Sequence, residues 1–410
     1  MPAALHLIFA LVWILLILWT LPLVLELLVL TIAAATPTHH DEAVMNGAES
    51  CSGPLAVVIP AHNEQELIAA CVASLAGHRE IYVVAHNCSD ATAQRAAAAR
   101  ATVLVLNDRV GGKGTALDFG FRQAIAAGAE AVLVIDADSV AGPNLIAAVS
   151  AAFGRGADAV QCRYQAADLD TRGGANRRTR LAALALFGMN VVRPLGRHRL
   201  GLSCGIFGNG FALSAATLAR VSYTPNSLVE DLEYHLHLIR AGIRVEFLDH
   251  AAVFGEMPET KAAASTQRAR WEGGRILMRR QWTGRLLGEV LRGRLRMIEP
   301  LLDLLALPLT TEAALLVLGL AMGIGAHLRW LTLYSVAGLC TLVLYVVAAA
   351  LLGPEPVRAL GALASAPAFL VWKVLMIPRT RLAARGDAAW VRTRRNVESA
   401  ESPDPPKPPL

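Results

Sequence analysis

The sequence predicts an α/β domain of Rossmann-like type, with a mostly parallel sheet, that apolar helices at both ends of the chain hold at a membrane. From Leu55 onward, short apolar runs alternate with Ala-rich stretches of helical character. That alternation of strand and helix is typical of a parallel sheet covered on both faces. Long apolar stretches at Leu5–Ala35 and Met297–Ile377 flank this region.

Composition supports the membrane prediction and argues against nucleic-acid binding. Hydrophobic residues make up 54% of the 410 residues, more than a purely soluble domain contains. The formal net charge is only +5, and the arginines concentrate beside apolar segments, as they do on the cytoplasmic face of a membrane. The six cysteines form no C-x-x-C pair, which favours structural thiols in a reducing compartment.

The first apolar stretch is long enough to cross a membrane. Leu5–Ala35 has no Lys or Arg before it, which favours a retained anchor over a cleaved signal peptide. At about 1.5 Å per residue it exceeds the ~30 Å hydrocarbon core, so we expect it to tilt, to bend near Pro22 or to protrude. Glu26 within it is either a functional intramembrane acid or, as we prefer, a residue at the level of the lipid headgroups.

The middle of the chain predicts a binding crevice at one edge of the sheet. The predicted strands are Leu55–Pro60, Ile81–Ala85, Thr102–Leu106, Ala131–Ile135 and Asp158–Cys162, and the predicted helices are Glu64–Ala76, Asp90–Ala99, Gly114–Ala127 and Pro143–Phe153. Parallel sheets bind ligands at the carboxyl ends of their strands. Polar residues follow those ends at His62–Glu64, His86–Asp90 and Asp136–Asp138.

The acids Asp136 and Asp138 end a buried strand in the segment VLVIDADS. Alternate side chains of a strand point to the same side, so both carboxylates are candidate ligands for Mg²⁺ or Mn²⁺. A divalent ion there would neutralise a departing diphosphate. The alternative is an ordinary Asp-rich turn after a strand.

The loop GGKG at Gly111–Gly114 has glycines like those of a phosphate-binding loop but not its spacing. Asn107 stands where that motif requires glycine, and Gly114 follows Lys113 where the motif has Ser or Thr. No dinucleotide fingerprint follows the first strand either. Lys113 is therefore either a phosphate contact from a loop or a solvated lysine.

Two later segments carry further candidate site residues. Glu230 and Asp231 open a helical stretch, where the helix dipole favours an ionised carboxylate that would serve as a general base; the alternative is an ordinary helix start. In TQRARWEGGR, Gln267, Arg270 and Trp271 follow, and arginine suits a diphosphate while tryptophan suits a sugar ring. An Arg-Trp pair near a membrane is also a common interfacial anchor.

The end of the chain is predicted to return to the membrane. The stretch Arg275–Met297 has apolar residues at four-residue spacing among arginines, which predicts a helix on the membrane surface. The arginines after Ile377 favour a cytoplasmic tail, hence a multi-pass protein of the inner cell membrane with its large domain in the cytoplasm. The predicted division is 1–35 anchor, 36–54 linker, 55–272 catalytic domain, 273–308 interfacial helices, 309–377 transmembrane helices and 378–410 cytoplasmic tail.

Five motifs in this order resemble the membrane-bound inverting glycosyltransferases of family 2, the group that contains cellulose, hyaluronan and poly-N-acetylglucosamine synthases. The motifs are VVIPAHNE at Val57–Glu64, HNCSDATA at His86–Ala93, DAD at Asp136–Asp138, VED at Val229–Asp231 and QRARW at Gln267–Trp271. They cover essentially the whole predicted catalytic domain, and the resemblance implies a GT-A fold.

The resemblance also implies roles for individual residues. It places four residues around the uridine of a UDP-sugar, namely Pro60, His62, Glu64 and Asp90. It implies that Asp138, with Asp136 nearby, meets the metal and the diphosphate and that Asp231 is the base. Gln267, Arg270 and Trp271 match the Q-x-x-R-W motif, which in the family touches the diphosphate and the acceptor sugar.

One departure from the family pattern concerns the nucleotide. Many members have two acids in a D-D-G turn before the position of Asp90, whereas this chain has Ala85, His86 and Asn87. The expected function is transfer of a sugar, with inversion, from a nucleotide sugar to a polysaccharide or a glycolipid, with export or accessory subunits as further partners. The alternatives are a single addition to a lipid acceptor and a non-catalytic subunit that binds nucleotide sugars.

Overall fold

The computed structural model describes residues 3–36, 53–108, 111–167, 177–224, 229–256 and 261–367, and within these it leaves out the side chains of 3–11 and 261–270. The predicted tail from 378 to 410, most of the linker and the later part of the Val357–Ile377 segment therefore lie outside the described residues.

One mixed sheet of eight strands forms the centre of the fold. The strands are β1 (Leu55–Ala61), β2 (Ile81–His86), β3 (Thr102–Leu106), β4 (Ala131–Val134), β5 (Ser139–Ala141), β6 (Ala159–Ala166), β7 (Phe211–Ser214) and β8 (Val245–Gly255). Their order is β3-β2-β1-β4-β7-β6-β8-β5. The first four strands pair in parallel, as does β6 with β8, whereas β7 runs antiparallel to both of its neighbours.

The helices complete a Rossmann-like arrangement and continue into apolar helices near both ends of the chain. They are α1 (Ala3–Ala35), α2 (Ile68–Ala73), α3 (Thr92–Ala98), α4 (Lys113–Ala126), α5 (Leu145–Gly154), α6 (Arg177–Phe187), α7 (Arg193–Arg199), α8 (Ala215–Arg220), α9 (Glu230–Arg240), α10 (Lys261–Leu291), α11 (Ile298–Leu305), α12 (Leu309–Gly325), α13 (Arg329–Leu352) and α14 (Pro356–Ala362). A π-helical turn at Gly188–Val192 joins α6 to α7.

The sequence predicted the first half of this sheet and missed part of the second. All five predicted strands and all four predicted helices are present, with ends shifted by a few residues. The mostly parallel sheet is confirmed, but strands β5, β7 and β8 were not predicted, and β5 and β7 supply the antiparallel pairings that make the sheet mixed. The short β5 and β7 offer little periodicity to detect, and the sheet partner of each lies far along the chain.

Two apolar layers cover the two faces of the sheet. On one face Ile59 and Leu133 pack with residues of α2 and α5, such as Ile68 and Leu145. On the other face Val58 packs with α4, where Gly120 allows the helix to approach: a Cβ at that position would lie 2.5 Å from the side chain of Val58. This second layer is continuous with apolar residues of α1, α12 and α13. The α/β domain and these apolar helices therefore share one core.

Among the described residues, two helices are long and apolar enough to cross a membrane, at Val12–Ala35 and Arg329–Leu352. The helices of Leu295–Leu305 and Leu309–Gly325 meet at 81° and would make a third span if they act as one broken segment. Pro22 lies inside α1, which continues to Ala35. Helix α10 starts within the predicted catalytic domain and runs into the predicted interfacial region without a break.

Candidate active site

The turn after β4 carries Asp136 and Asp138, and Asn209 fixes its shape. The backbone N–H of Asp136 donates to Oδ1 of Asn209 at 3.1 Å. The Nδ2 group of Asn209 donates to Oγ of Ser139 at 2.9 Å, and that hydroxyl donates to Oδ1 of Asp138 at 3.1 Å. Asn209 is fully buried. One amide side chain thus holds both ends of the acidic turn.

Asn209 belongs to the loop Gly208–Gly210, which precedes β7. Gly208 has a φ of +73° and Gly210 a φ of +69°, in the left-handed region that glycine adopts without strain. The buried amide of Gln161 on β6 donates to the backbone oxygen of Asn209 at 2.8 Å. Its Oε1 accepts the N–H of Phe207 at 3.0 Å. The glycine spacing was the sequence signal for this loop, whereas nothing local indicated Gln161.

Lys113 lies inside the site, at the first residue of α4. Its ammonium group donates to the backbone oxygen of Gly208 at 2.6 Å and forms an ion pair with Asp136. Burial lowers the pKa of Lys113, but the carboxylates of Asp136 and Glu230 raise that pKa by more, so the lysine is charged. The interpretation of Lys113 as a solvated loop lysine is therefore wrong. Whether it contacts a phosphate remains a proposal.

Asp231 faces Lys113 across Gly208. A Cβ on Gly208 would lie 3.1 Å from Oδ2 of Asp231 and 3.6 Å from Nζ of Lys113. Oδ1 of Asp231 accepts the N–H of Leu232 at 2.8 Å, at the start of α9, so one carboxylate oxygen is held by the helix while the other points to the loop. Asp136 and Asp231, which are far apart along the chain, thus both lie close to Lys113, and Lys113 contacts Gly208.

The acids at the start of α9 are perturbed by their surroundings. Burial raises the pKa of Asp231 above its ordinary value, against the opposing effects of the Leu232 N–H and Lys113. Burial, followed by the charge of Asp231, raises the pKa of Glu230 to about 7. A carboxylate with a raised pKa in a crevice accepts a proton more readily than one in water, which is what a general base requires.

The loops after β1 and β2 interlock at the same edge of the sheet. Asp90 is the centre of this contact, because its two carboxylate oxygens accept the N–H groups of Gln65 at 3.2 Å and Thr92 at 3.0 Å. The N–H of Glu64 donates to the hydroxyl of Thr92 at 2.8 Å. These residues shape the loops that the family resemblance assigns to the uridine.

His62 and His86 connect the same two loops. Nδ1 of His62 donates to the backbone oxygen of His86 at 2.8 Å. Nε2 of His86 lies 2.8 Å from Oδ1 of Asp108, and this histidine is buried. The hydrogen bond from His86 lowers the pKa of Asp108. The chain therefore has an imidazole and a carboxylate from two different loops where many relatives have adjacent acids, and sequence reasoning did not find Asp108.

Helix α10 carries the Q-x-x-R-W motif to the same region. Trp271 is 43% exposed, whereas the side chains of Gln267 and Arg270 lie outside the described residues. Gly274 packs directly on Val229, because a Cβ on this glycine would lie 3.2 Å from Cγ2 of Val229 and closer still to Cγ1. Val229 precedes Glu230, so the helix that bears the motif abuts the start of α9. Pro60 lies at the end of β1, half-buried beside these loops.

The residues present fit a divalent cation held jointly with a phosphorylated ligand. Among the described residues, no group of three or more His, Cys, Asp or Glu side chains is arranged to hold a metal ion by itself. Mg²⁺ is commonly bound by one or two carboxylates together with substrate phosphates and water. Asp138 and Asp136 supply that number of ligands, and Asp136 also pairs with Lys113.

The sheet order and the acidic crevice at its carboxyl edge define an α/β domain of the GT-A type, with a mostly parallel sheet. A family model described as "Glycosyltransferase like family 2" matches residues 53–274, which is more than half of the chain. The chain therefore belongs to glycosyltransferase family 2, whose members transfer sugars from nucleotide sugars.

Similar solved structures include glucosyl-3-phosphoglycerate synthase from Mycobacterium tuberculosis in complex with Mn²⁺, uridine diphosphate and phosphoglyceric acid. The two chains are 24% identical over 54% of this chain and 77% of that chain, with a TM-score of 0.37. The same enzyme in complex with Mg²⁺ and uridine diphosphate is 22% identical over 58% of this chain and 82% of that chain, again with a TM-score of 0.37. A comparison with curated proteins finds no match.

Proposed function

We propose that the protein is a membrane-anchored glycosyltransferase that transfers a hexose, with inversion, from a UDP-sugar to a growing polysaccharide or a glycolipid. One observation carries the proposal: Lys113, Asp136 and Asp231 meet at the carboxyl edge of the sheet, around Gly208. The DAD motif, the VED motif and Lys113 of the GGKG loop are thus brought together at one place. Family membership supplies the sugar-transfer chemistry.

In the proposed reaction Asp231 is the base. Its carboxylate takes the proton from an acceptor hydroxyl while that oxygen attacks the anomeric carbon from the side opposite the diphosphate. The bond between the anomeric carbon and the diphosphate breaks, and the electron pair leaves with the diphosphate. A single displacement inverts the anomeric centre, so an α-linked donor gives a β-linkage.

Several groups are proposed to hold the donor. The interlocked loops of His62, Glu64 and Asp90, next to Pro60, surround the nucleoside. Lys113 is proposed to bind the diphosphate, as are Gln267 and Arg270 because they match the Q-x-x-R-W motif, and Trp271 is proposed to stack on the acceptor sugar. Glu230 orders substrate hydroxyls beside Asp231. Mg²⁺ or Mn²⁺, held by Asp138 and Asp136, would neutralise the charge of the diphosphate.

The membrane part of the proposal is supported by the apolar helices. Two described helices are long and apolar enough to span a bilayer, and the core of the catalytic domain continues into them. We place the catalytic domain on the cytoplasmic side of the inner cell membrane because nucleotide sugars are made there and because arginines concentrate after Ile377. Export or accessory subunits are proposed partners if the product is a secreted polymer.

A panel of radiolabelled nucleotide sugars, tested on membranes that contain the full chain, checks this function. We expect transfer from a UDP-sugar that requires Mg²⁺ or Mn²⁺ and stops when a chelator is added. A ladder of products indicates a processive synthase, and a single lipid-extractable product indicates one addition to a lipid. Binding of UDP without transfer from any donor would contradict the enzyme assignment and favour a non-catalytic subunit.

A further inference from the structure

Six charged side chains lie buried where the catalytic domain meets the membrane helices. We call them the ion cluster. It consists of Glu26 on α1, Arg193 and Arg197 on α7, Arg275 on α10, and Glu299 and Asp303 on α11. Four elements from distant parts of the chain thus contribute to one group of charges. Glu26, for which the sequence predicted either a functional role or a position at the level of the lipid headgroups, lies within these ion pairs.

The contacts within the ion cluster are short, and the two arginines of α7 share the same carboxylate partners. Oε1 of Glu26 lies 2.6 Å from Nη2 of both Arg193 and Arg197. Oδ1 of Asp303 lies 2.6 and 2.7 Å from the same two nitrogens. Nε of Arg197 also lies 2.5 Å from Oε1 of Glu299. The arginines of α7 are therefore held between an acid of α1 and the acids of α11.

Arg275 connects the ion cluster to α10. Its Nη2 lies 3.0 Å from Oδ2 of Asp303 and also donates to the backbone oxygen of that residue. The side chain of Glu26 is 6% exposed and that of Asp303 15% exposed. Removing one member leaves an opposite charge largely buried with fewer partners, which is costly.

The helices at the ion cluster are packed too closely to slide past each other freely. A methyl group on Gly196 of α7 would overlap the backbone of α1, 2.9 Å from the carbonyl carbon of Leu30. Arg199 donates to the backbone oxygen of Ala34 at 2.5 Å, at the last turn of α1. A change in the position of α1 is therefore transmitted to α7 and, through the shared carboxylate of Asp303, to α10.

Helix α10 carries this constraint into the active site. Arg275 follows Trp271 by one helical turn, and Gly274 between them packs on Val229, next to the acids of α9. The same short segment thus contacts the ion cluster on one side and the start of α9 on the other. A shift of about 1 Å in the position of reacting groups is enough to slow catalysis strongly.

We propose that the ion cluster positions the start of α10 for sugar transfer, so that Glu26, Asp303 and Arg275 are positioning residues. The N-terminal helix then contributes to the active site as well as to membrane attachment. This inference rests on the proposed function. It assigns ion-pair partners and a positioning role to Glu26, an acid in an apolar helix that belongs to none of the five sequence motifs.

The substitution Arg275→Gln tests the proposal, because it removes the link to α10 and leaves Glu26 and Asp303 paired with Arg193 and Arg197. In full-length protein in lipid nanodiscs, we expect kcat to fall about tenfold or more, with the Kd for UDP unchanged within about twofold. Arg275→Lys keeps the charge and should restore most of kcat. Arg280→Gln is the matched control: it removes an exposed arginine of α10 outside the ion cluster and should leave kcat within about twofold.

Hydrogen exchange of the amides in 261–280 provides a second readout that does not need an assay of transfer. We expect faster exchange in Arg275→Gln and in Glu26→Gln than in the wild type or in Arg280→Gln. Unchanged exchange together with unchanged kcat would overturn the positioning role, as would an equal loss of kcat in Arg280→Gln. If the wild type transfers no sugar, the proposed function fails, and the exchange comparison alone decides whether the ion cluster holds α10.

Discussion

Two groups of buried charges in this molecule differ in their balance. The ion cluster has three arginines and three carboxylates, and every one of them contacts an opposite charge. The crevice at the sheet edge brings together the acids Asp136, Asp138, Glu230 and Asp231, with Lys113 as the cation among its described side chains. A balanced group is complete without a ligand, whereas an excess of acids is favourable only when protons or cations are taken up. The gathering of acids around Lys113 therefore agrees with the proposed ligand site.

In the crevice, burial raises the pKa of Asp231 and, together with the charge of Asp231, raises that of Glu230 to about 7. Holding buried acids with raised pKa values costs folding stability. Such a cost is often seen where groups are arranged for proton transfer. Substitutions in the two groups should accordingly have different consequences.

The largest effect is expected from Asp231→Asn. Removing the general base should lower kcat by about 10³-fold, within the range measured for general acid–base catalysis, while the Kd for UDP stays within about twofold. Single-turnover transfer and equilibrium binding measure the two quantities. Asp118→Asn, which alters an exposed ion pair with Arg122 on α4, is the control. Retained turnover in Asp231→Asn would show that another group is the base.

Lys113→Met should have the next largest effect. It removes the cation that contacts Asp136 and Gly208, and we expect kcat/KM for the donor to fall about 10–100-fold. Because Lys113 lowers the pKa of Asp231 and of Glu230, its loss should raise both pKa values further. The base must be ionised to act, so the acidic limb of the pH profile of kcat/KM should move to higher pH. An unshifted limb would mean that Lys113 does not act on the titrating group.

In the region of the ion cluster, Gly196→Ala should lower the stability of the fold. The added methyl group would push α7 away from the backbone of Leu30, at a cost of about 1–3 kcal/mol in the free energy of unfolding. Gly284→Ala on α10 is the matched control, since a Cβ there meets nothing within 4 Å and alanine favours the helix by up to about 1 kcal/mol. Thermal unfolding in detergent compares the two variants. Equal melting temperatures would contradict the close packing of α1 on α7.

The smallest effect, and the one of opposite sign, is expected from Glu230→Gln. The folded-state pKa of Glu230 is about 7, above the ordinary value of about 4.5, so the native state retains a proton that the unfolded chain releases. Stability contributed by this group is full below pH 4.5 and is lost as the pH rises towards 7. The glutamine variant should therefore be more stable than the wild type at pH 8, by about 1–2 kcal/mol, and little different at pH 4. Melting curves at the two pH values test this sign.

Much of the fold was predictable because its signals are local. Short apolar strands separated by Ala-rich helices repeat from β1 to β6, and each element reveals itself within a few residues. Strand β7 escaped because its four residues pair antiparallel with β4 and β6, and that pairing depends on partners about 50 to 80 residues away. The motif acids were also predictable, since strand ends and helix starts are where such residues serve ligands.

The sequence by itself determined the α/β rhythm, the apolar helices and the identity of the motif residues, because periodicity and residue chemistry are properties of short segments. Only the tertiary structure decided that Lys113 lies between Asp136 and Gly208, that Asn209 holds the acidic turn and that Glu26 joins Arg193, Arg197 and Asp303. Ion pairs and buried amides act over a few ångströms in space, and their strength depends on how far water is excluded. Neither the distance nor the burial is written in the order of residues along the chain.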